Sequence, residues 1–249
     1  MHTQSLRLLA CTAALSLTLP LGAKVLMLDF GGNNPSNLVS SNNTSSPYHT
    51  DTGSTADFTW NSAGTSGSMA SLVWSDGTAA TGVATTGYKF SAAQTVTNGT
   101  GWQTGYNGSA SGAVNTGIYA QGNAAYDGAM TSSGFATDDR AVGLQVNGLG
   151  VGTYDVYVSG RYTNYAGETD YTQTFYAGVG ASSGNFNFIT GGYASDSTTF
   201  TADNTSKTSA WVYNSGDAAS SNYVKFTVSI TSLGEALNIA AQGSGTFNG

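Results

Sequence analysis

The sequence predicts an all-β protein, a sandwich of two antiparallel sheets, and three observations carry that expectation. About ten runs of strand length either alternate apolar and polar residues or are apolar throughout. Gly, Asn, Asp and Ser, the residues that supply turn conformations, separate them. No stretch holds a convincing apolar repeat at helical spacing, and the Gly, Ser, Thr, Asn and Ala that dominate the composition suit strands and turns better than helices. A closed barrel is the alternative architecture.

Residues 1–23 carry Arg7, an apolar run from Leu8 to Leu21 and then Gly22-Ala23, the pattern of a secretory signal peptide. The alternative is a buried first strand or helix. Residues 24–249 follow with no linker or shift in composition, so one domain is expected there. Lys24 to Phe30 reads as a core strand, closed by Gly31-Gly32 and Asn33-Asn34-Pro35. From Ser36 to Ser66 a long polar loop is expected, with Trp60 as its only large anchor and a short strand through Phe58-Thr59-Trp60. Met69 to Trp74, the turn Ser75-Asp76-Gly77 and a strand from Gly82 to Phe90 continue the antiparallel pattern. Ser91 to Asp139 has too little periodicity for assignment, and some short element is expected to interrupt it.

The clearest signal lies between Ala141 and Tyr162. Val142, Leu144 and Val146 fall on one face of a strand, and Tyr154, Val156 and Val158 on one face of the next. Asn147-Gly148 and Gly150-Val151-Gly152 tolerate positive φ, so a hairpin is expected. Tyr171 to Val179 alternates as a further strand, and Phe186–Ile189, Thr198–Thr201 and Ser209–Tyr213 are shorter candidates. Tyr223 to Ile230 and Leu237 to Ala241, joined by Ser232-Leu233-Gly234-Glu235, read as a second hairpin. Trp60, Trp74 and Trp211 lie on or beside apolar runs and are expected in the core.

The formal charge of −7 comes from 14 acidic residues against 7 basic ones, so a nucleic acid would be repelled and is not an expected partner. The single cysteine, Cys11, lies in the N-terminal apolar run, which leaves no pair for a disulfide. With His2 in the leader and His49 in a polar loop, a His/Cys zinc site is excluded by inventory.

Taken in order, Asp29-Phe30-Gly31, Trp60-Asn61, Leu72-Val73-Trp74-Ser75-Asp76-Gly77 with Ala80-Thr81-Gly82-Val83, and Val146-Asn147-Gly148-Leu149 form a pattern. It continues through Tyr154-Asp155-Val156-Tyr157-Val158-Ser159-Gly160-Arg161, Asn222-Tyr223-Val224-Lys225-Phe226 and Phe247-Asn248-Gly249. The pattern resembles the exported galactose-binding-like (jelly-roll) β-sandwich domains of environmental bacteria, including those in proteins with a PEP-CTERM sorting signal. The resemblance implies a jelly-roll sandwich, export and a place outside the cell or at its surface. It spans nearly all of 24–249, although its motifs are short and specify fold more than ligand. The Pro-Glu-Pro motif, membrane helix and basic tail of such signals do not occur before Gly249. Either the chain is truncated or it is simply secreted; in the related domains an apolar strand follows the last Asn-Gly, so of the two a C-terminally truncated domain is the expectation.

Neutral sugars are held by aromatic faces together with a few polar side chains that fix the hydroxyls. The expected ligand-binding residues are therefore Arg161, Tyr162, Asn164, Tyr165, Glu168 and Asp170, where charge and aromatic residues meet, and Trp102 and Tyr106 in a Gly/Asn-rich stretch. The competing reading is that the tyrosines close the sandwich end and Arg161 pairs with Glu168 or Asp170. No cofactor is expected. A structural calcium would use Asp138 and Asp139, which lack the DxDxDG spacing and otherwise read as solvated turn acids.

An enzyme would depend on carboxylates, and Glu168 with Asp170 or Asp139 is the one tenable pair, Glu235 being placed in a turn. A serine nucleophile lacks both an elbow motif and a base. The functional expectation is a noncatalytic secreted or cell-surface protein, with no membrane span in 24–249, that contacts extracellular polysaccharide or matrix. The alternative is a polysaccharide hydrolase or lyase, or an accessory module of one.

Overall fold

A computed structural model describes residues 23–29, 46–62, 68–91, 96–100, 103–104, 129–130, 139–159, 171–182, 186–200, 210–218 and 220–244. In chain order the elements are β1 (Leu28–Asp29), α1 (Pro47–Thr52), β2 (Asn61–Ser62), β3 (Ala84–Ser91), β4 (Val96–Thr100), β5 (Gln103–Thr104) and β6 (Ala129–Met130). β7 (Asp139–Asn147), β8 (Gly152–Ser159), β9 (Tyr171–Ala181), β10 (Ala194–Phe200), β11 (Tyr223–Ile230) and β12 (Glu235–Ser244) follow. The protein is an all-β sandwich. One layer is a six-stranded antiparallel sheet in the order β10-β9-β12-β7-β3-β4, and the other is the antiparallel pair β8 and β11. No helix among the described residues is long and apolar enough to cross a membrane.

The strand alternation read from sequence fixes which side chains meet between the layers. Leu144 and Val146 of β7, Phe175 and Ala177 of β9 and Leu237 of β12 face Val156 of β8 and Val224, Phe226, Val228 and Ile230 of β11 in one buried cluster. Tyr154, Val158, Val142 and Val179 pack against its margin, as their parity requires.

Neither expected hairpin exists. β7 pairs with β3 and β12, whereas β8 pairs with β11 along its whole length, from Gly152 opposite Ile230 to Ser159 opposite Tyr223. The 147–152 turn therefore carries the chain from one sheet to the other, and so does the 230–235 turn between β11 and β12. A hairpin sets two apolar faces side by side, and a sheet-crossing corner sets them face to face. The alternation is the same in both, so it cannot tell them apart.

Of the turn residues read as permissive in the first corner, only Gly148 has positive φ, at +78°, and a Cβ there would overlap the carbonyl oxygen of Gly82. The second corner is held by Glu235, whose carboxylate accepts the backbone N–H of Thr231 at 2.6 Å and of Ser232 at 3.0 Å. Those bonds, led by that of Thr231, hold the Glu235 carboxyl below its ordinary range.

The outer face of the large sheet is buried too. Several of its β7, β9 and β12 positions are small (Gly143, Gly178, Ala236, Ala240), and Tyr88, Phe90, Phe186, Phe188 and Tyr193 cluster over it. A Cβ on Gly143 would stand 2.7 Å from the Phe186 ring. Phe186–Ile189, expected as a strand, is instead irregular chain leading into a turn, because Asn187 Oδ1 accepts the N–H of Ile189 (3.2 Å) and Thr190 (2.9 Å). Beside these rings Gln145 Nε2 donates to Asn238 Oδ1 at 2.9 Å, and Asn238 Nδ2 donates to Tyr193 Oη at 2.9 Å.

Of the expected first strand only Leu28–Asp29 forms a ladder among the described residues, parallel to β2. The run is nonetheless sandwiched on both sides: Leu26 and Leu28 pack on the main core, while Val25 and Met27 pack with Trp60. Asn61 joins this segment to its neighbour, donating to Met27 O (3.0 Å) and Val73 O (2.8 Å) and accepting from Val73 N (2.8 Å). Trp60 and Trp211 are buried and Trp74 is half-buried against the main core.

Gly148→Ala is expected to destabilise the protein by about 3 kcal/mol, since it combines left-handed strain with overpacking. Gly150→Ala, with Tyr154 Oη at 3.9 Å as the nearest atom and no positive φ, is the matched control. Urea denaturation of the two variants is the check, and the control is expected within about 0.5 kcal/mol of the parent.

Candidate functional site

The two-stranded layer turns its apolar residues to the core, so alternate residues of the same strands point outward. On β8 these are Thr153, Asp155 and Tyr157, and on β11 Tyr223, Lys225, Thr227 and Ser229. The register sets Lys225 opposite Tyr157, Thr227 opposite Asp155 and Ser229 opposite Thr153. Each pair is bonded or in contact: Lys225 Nζ lies 5.2 Å from the Tyr157 ring centroid, Thr227 Oγ1 donates to Asp155 Oδ1 at 2.7 Å, and the Thr153 and Ser229 hydroxyls are 3.1 Å apart.

Helix α1 adds a third wall. It replaces part of the loop expected over Ser36–Ser66, and Phe58–Trp60, expected as a strand, is irregular chain that leads into the ladder at Asn61–Ser62. Pro47 occupies the first turn, and His49 stands where a capping box ordinarily has Glu or Gln. His49 Nδ1 accepts the Ser46 N–H at 3.1 Å, and Nε2 lies 3.1 Å from the carbonyl oxygen of Ala56, which can only accept. These partners assign the neutral tautomer with its proton on Nε2. The ring is buried and stacks on Phe58 at 4.4 Å, so Trp60 is not the segment's only anchor. Burial is the main cause that lowers the His49 pKa.

Seated this way, α1 brings Asp51 and Tyr48 to the outward face of β8. Asp51 Oδ2 accepts the Tyr157 hydroxyl at 2.6 Å and Lys225 Nζ at 2.9 Å, and Asp155 Oδ2 takes the same ammonium at 3.0 Å. Four tyrosine rings run across the face: Tyr48 to Tyr157 at 6.3 Å, Tyr157 to Tyr223 at 6.3 Å and Tyr223 to Tyr213 at 5.5 Å. Tyr223 is buried in a cluster with Trp211, against which Tyr157 packs, and Tyr213 is 45% exposed at the end of the row. The Tyr213 segment is held by Asn222, fully buried, which accepts Val212 N–H at 2.8 Å and donates to Ala210 O at 2.8 Å.

The electrostatics follow from these bonds. The Tyr157 hydroxyl, foremost, and Lys225 hold the Asp51 carboxyl below its ordinary value; Thr227, foremost, and Lys225 do the same for Asp155. Burial and its donation to Asp51 push Tyr157 up to about 12. Hydrogen bonds to Asp51 and then Asp155 raise Lys225 above its ordinary value. At neutral pH the face thus holds two carboxylates, one ammonium and tyrosine rings, an arrangement that accepts hydrogen bonds and offers aromatic surface chiefly at Tyr213.

The residues singled out from sequence are not among those described at this face. Trp102, Tyr106, Asp138, Arg161, Tyr162, Asn164, Tyr165, Glu168 and Asp170 lie outside the described residues. Asp139 opens β7 opposite Ser91. Among the described residues no group of three or more His, Cys, Asp or Glu side chains is placed to hold a metal ion. The residues that do assemble, Asp51, Asp155, Tyr157, Tyr213, Tyr223 and Lys225, escaped sequence reasoning. The available signal was the outward parity of Asp155-x-Tyr157 and Tyr223-x-Lys225-x-Thr227; the missing fact was that these two strands are partners. No protein-family model matches this chain, and neither does any curated protein or solved structure.

His49 makes the seating of α1 sensitive to pH. Its folded pKa lies below the unfolded value of 6.5, so the unfolded chain binds the proton more readily. The stabilisation is complete above pH 6.5 and declines as the pH falls from there through the folded value. Thermal melts between pH 7.5 and 5 are expected to show that decline, and His49→Gln, which keeps an acceptor at the capping position, is expected to flatten it.

Proposed function

We propose that the chain is a noncatalytic, exported β-sandwich protein that binds carbohydrate through the outward face of β8 and β11. The observation that carries this reading is the tyrosine row ending at the half-exposed Tyr213, set beside the ionised Asp51 and Asp155. Sugar C–H patches stack on aromatic rings, and sugar hydroxyls donate to carboxylates. Export follows from residues 1–23 read as a signal peptide. The likeness to exported galactose-binding-like sandwiches belongs to the same proposal, with polysaccharide outside the cell or at its surface as the partner.

The enzymatic alternative gains nothing from this face. A glycosidase needs one carboxyl kept protonated by a raised pKa, and both carboxyls here are lowered.

Affinity gel electrophoresis against a panel of neutral polysaccharides tests the proposal. Retention by at least one is expected. Tyr213→Ala is expected to weaken it about tenfold, the worth of one aromatic contact, and no reducing ends are expected to be released. Absence of retention throughout the panel, or retention indifferent to Tyr213→Ala, would overturn it.

A further inference from the structure

Resting on the carbohydrate reading above, we propose that this face accepts single, uncharged glycan chains and rejects both uronate polymers and flat crystalline ones. Charge carries the first half. A polymer of uronic acids is ordinarily held by a free Arg or Lys. Lys225, the only cation in the cluster among the described residues, is engaged by Asp51 and Asp155 together, so those three groups sum to one negative charge, in a chain of net charge −7. The other lysine whose side chain is described, Lys24, is itself paired with Asp76. An approaching carboxylate meets repulsion within a Debye length, about 8 Å at physiological ionic strength.

Hydrogen-bond inventory points the same way. Asp51 Oδ2 takes both the Tyr157 hydroxyl and the Lys225 ammonium, while Oδ1 receives no hydrogen bond from the described residues. That oxygen seeks a donor, which a sugar hydroxyl supplies and a carboxylate does not.

Ring geometry carries the second half. A crystalline polysaccharide surface requires coplanar rings. Here Tyr223 is buried at 3% exposure, the half-buried Tyr48 and Tyr157 rings stand at 75° to each other, and Tyr213 alone of the four is exposed. The face thus offers no flat platform of exposed rings, and stacking falls to Tyr213, which one sugar face of a free chain can reach.

The test uses the full chain with three probes in the presence of EDTA: a soluble neutral β-glucan, polygalacturonate and microcrystalline cellulose. Affinity for the glucan is expected to exceed that for polygalacturonate by at least about tenfold at low salt, with the gap narrowing as salt screens the repulsion, and cellulose is expected to leave the protein in the supernatant. Replacing Asp51→Asn and Asp155→Asn together frees Lys225 and is expected to raise polygalacturonate affinity about tenfold, with thermal melting reporting on the fold. Equal retention by glucan and polygalacturonate, or sedimentation with cellulose, would overturn the specificity and leave carbohydrate binding standing. If the variant fails to fold, the salt dependence of the parent decides. Where the glucan is not retained, the neutral polysaccharide retained in the panel above takes its place, and retention by none of that panel removes the binding reading on which this proposal rests.

Discussion

The structure depends on the burial of one apolar surface between two strand pairs joined by corners. β7 leads through its corner into β8, and β11 leads through its own into β12. β7 pairs with β12 in one layer and β8 with β11 in the other. The two corners are therefore neighbours, and each constrains the other. If β8 were to slip by one residue, Val156 would move outward and Tyr157 inward, and the register with β11 would be lost along its length. Val224, Phe226, Val228 and Ile230, all buried, contribute about 1.5–3 kcal/mol each to holding that arrangement.

A chain with only 8% charged residues relies on amides where other proteins use ladders or ion pairs. Asn61 and Asn222 each bond backbone groups of a neighbouring segment that is not in a full ladder with them. Gln145 and Asn238 form a buried pair on the outer face of the large sheet, and Tyr193 completes it. Every one of these amides is at most 4% exposed. Removing any of them would leave buried partners unsatisfied, at a cost of about 1–3 kcal/mol.

Strand identity and facing were legible in the sequence because both follow from period-two alternation, a local property. Val142-x-Leu144-x-Val146 and the Tyr223–Ile230 run face the core as their parity requires. Pairing was not legible, because it depends on which distant strand lies alongside, and a turn rich in Gly and Asn serves a corner as well as a hairpin. Phe186-x-Phe188 imitates a strand, since its rings fill a floor made of small residues that come from other strands. The helix at Pro47–Thr52 was hidden by its brevity and by a capping box completed with His49 in place of Glu or Gln. The candidate site follows the same division. Each outward residue is visible in its own strand, but Asp51, Tyr157 and Lys225 meet only when α1, β8 and β11 are brought together.

Everything proposed for the outward face rests on β8 and β11 being partners. The most direct measurement is a cross-link between Thr153 and Ser229, register partners whose hydroxyls stand 3.1 Å apart on that face and away from the tyrosines. In a chain carrying Thr153→Cys, Ser229→Cys and Cys11→Ser, the paired arrangement predicts an intramolecular disulfide on mild oxidation, found by peptide mass spectrometry, with the melting temperature kept or raised. Two free thiols, or disulfides only between molecules, would contradict it.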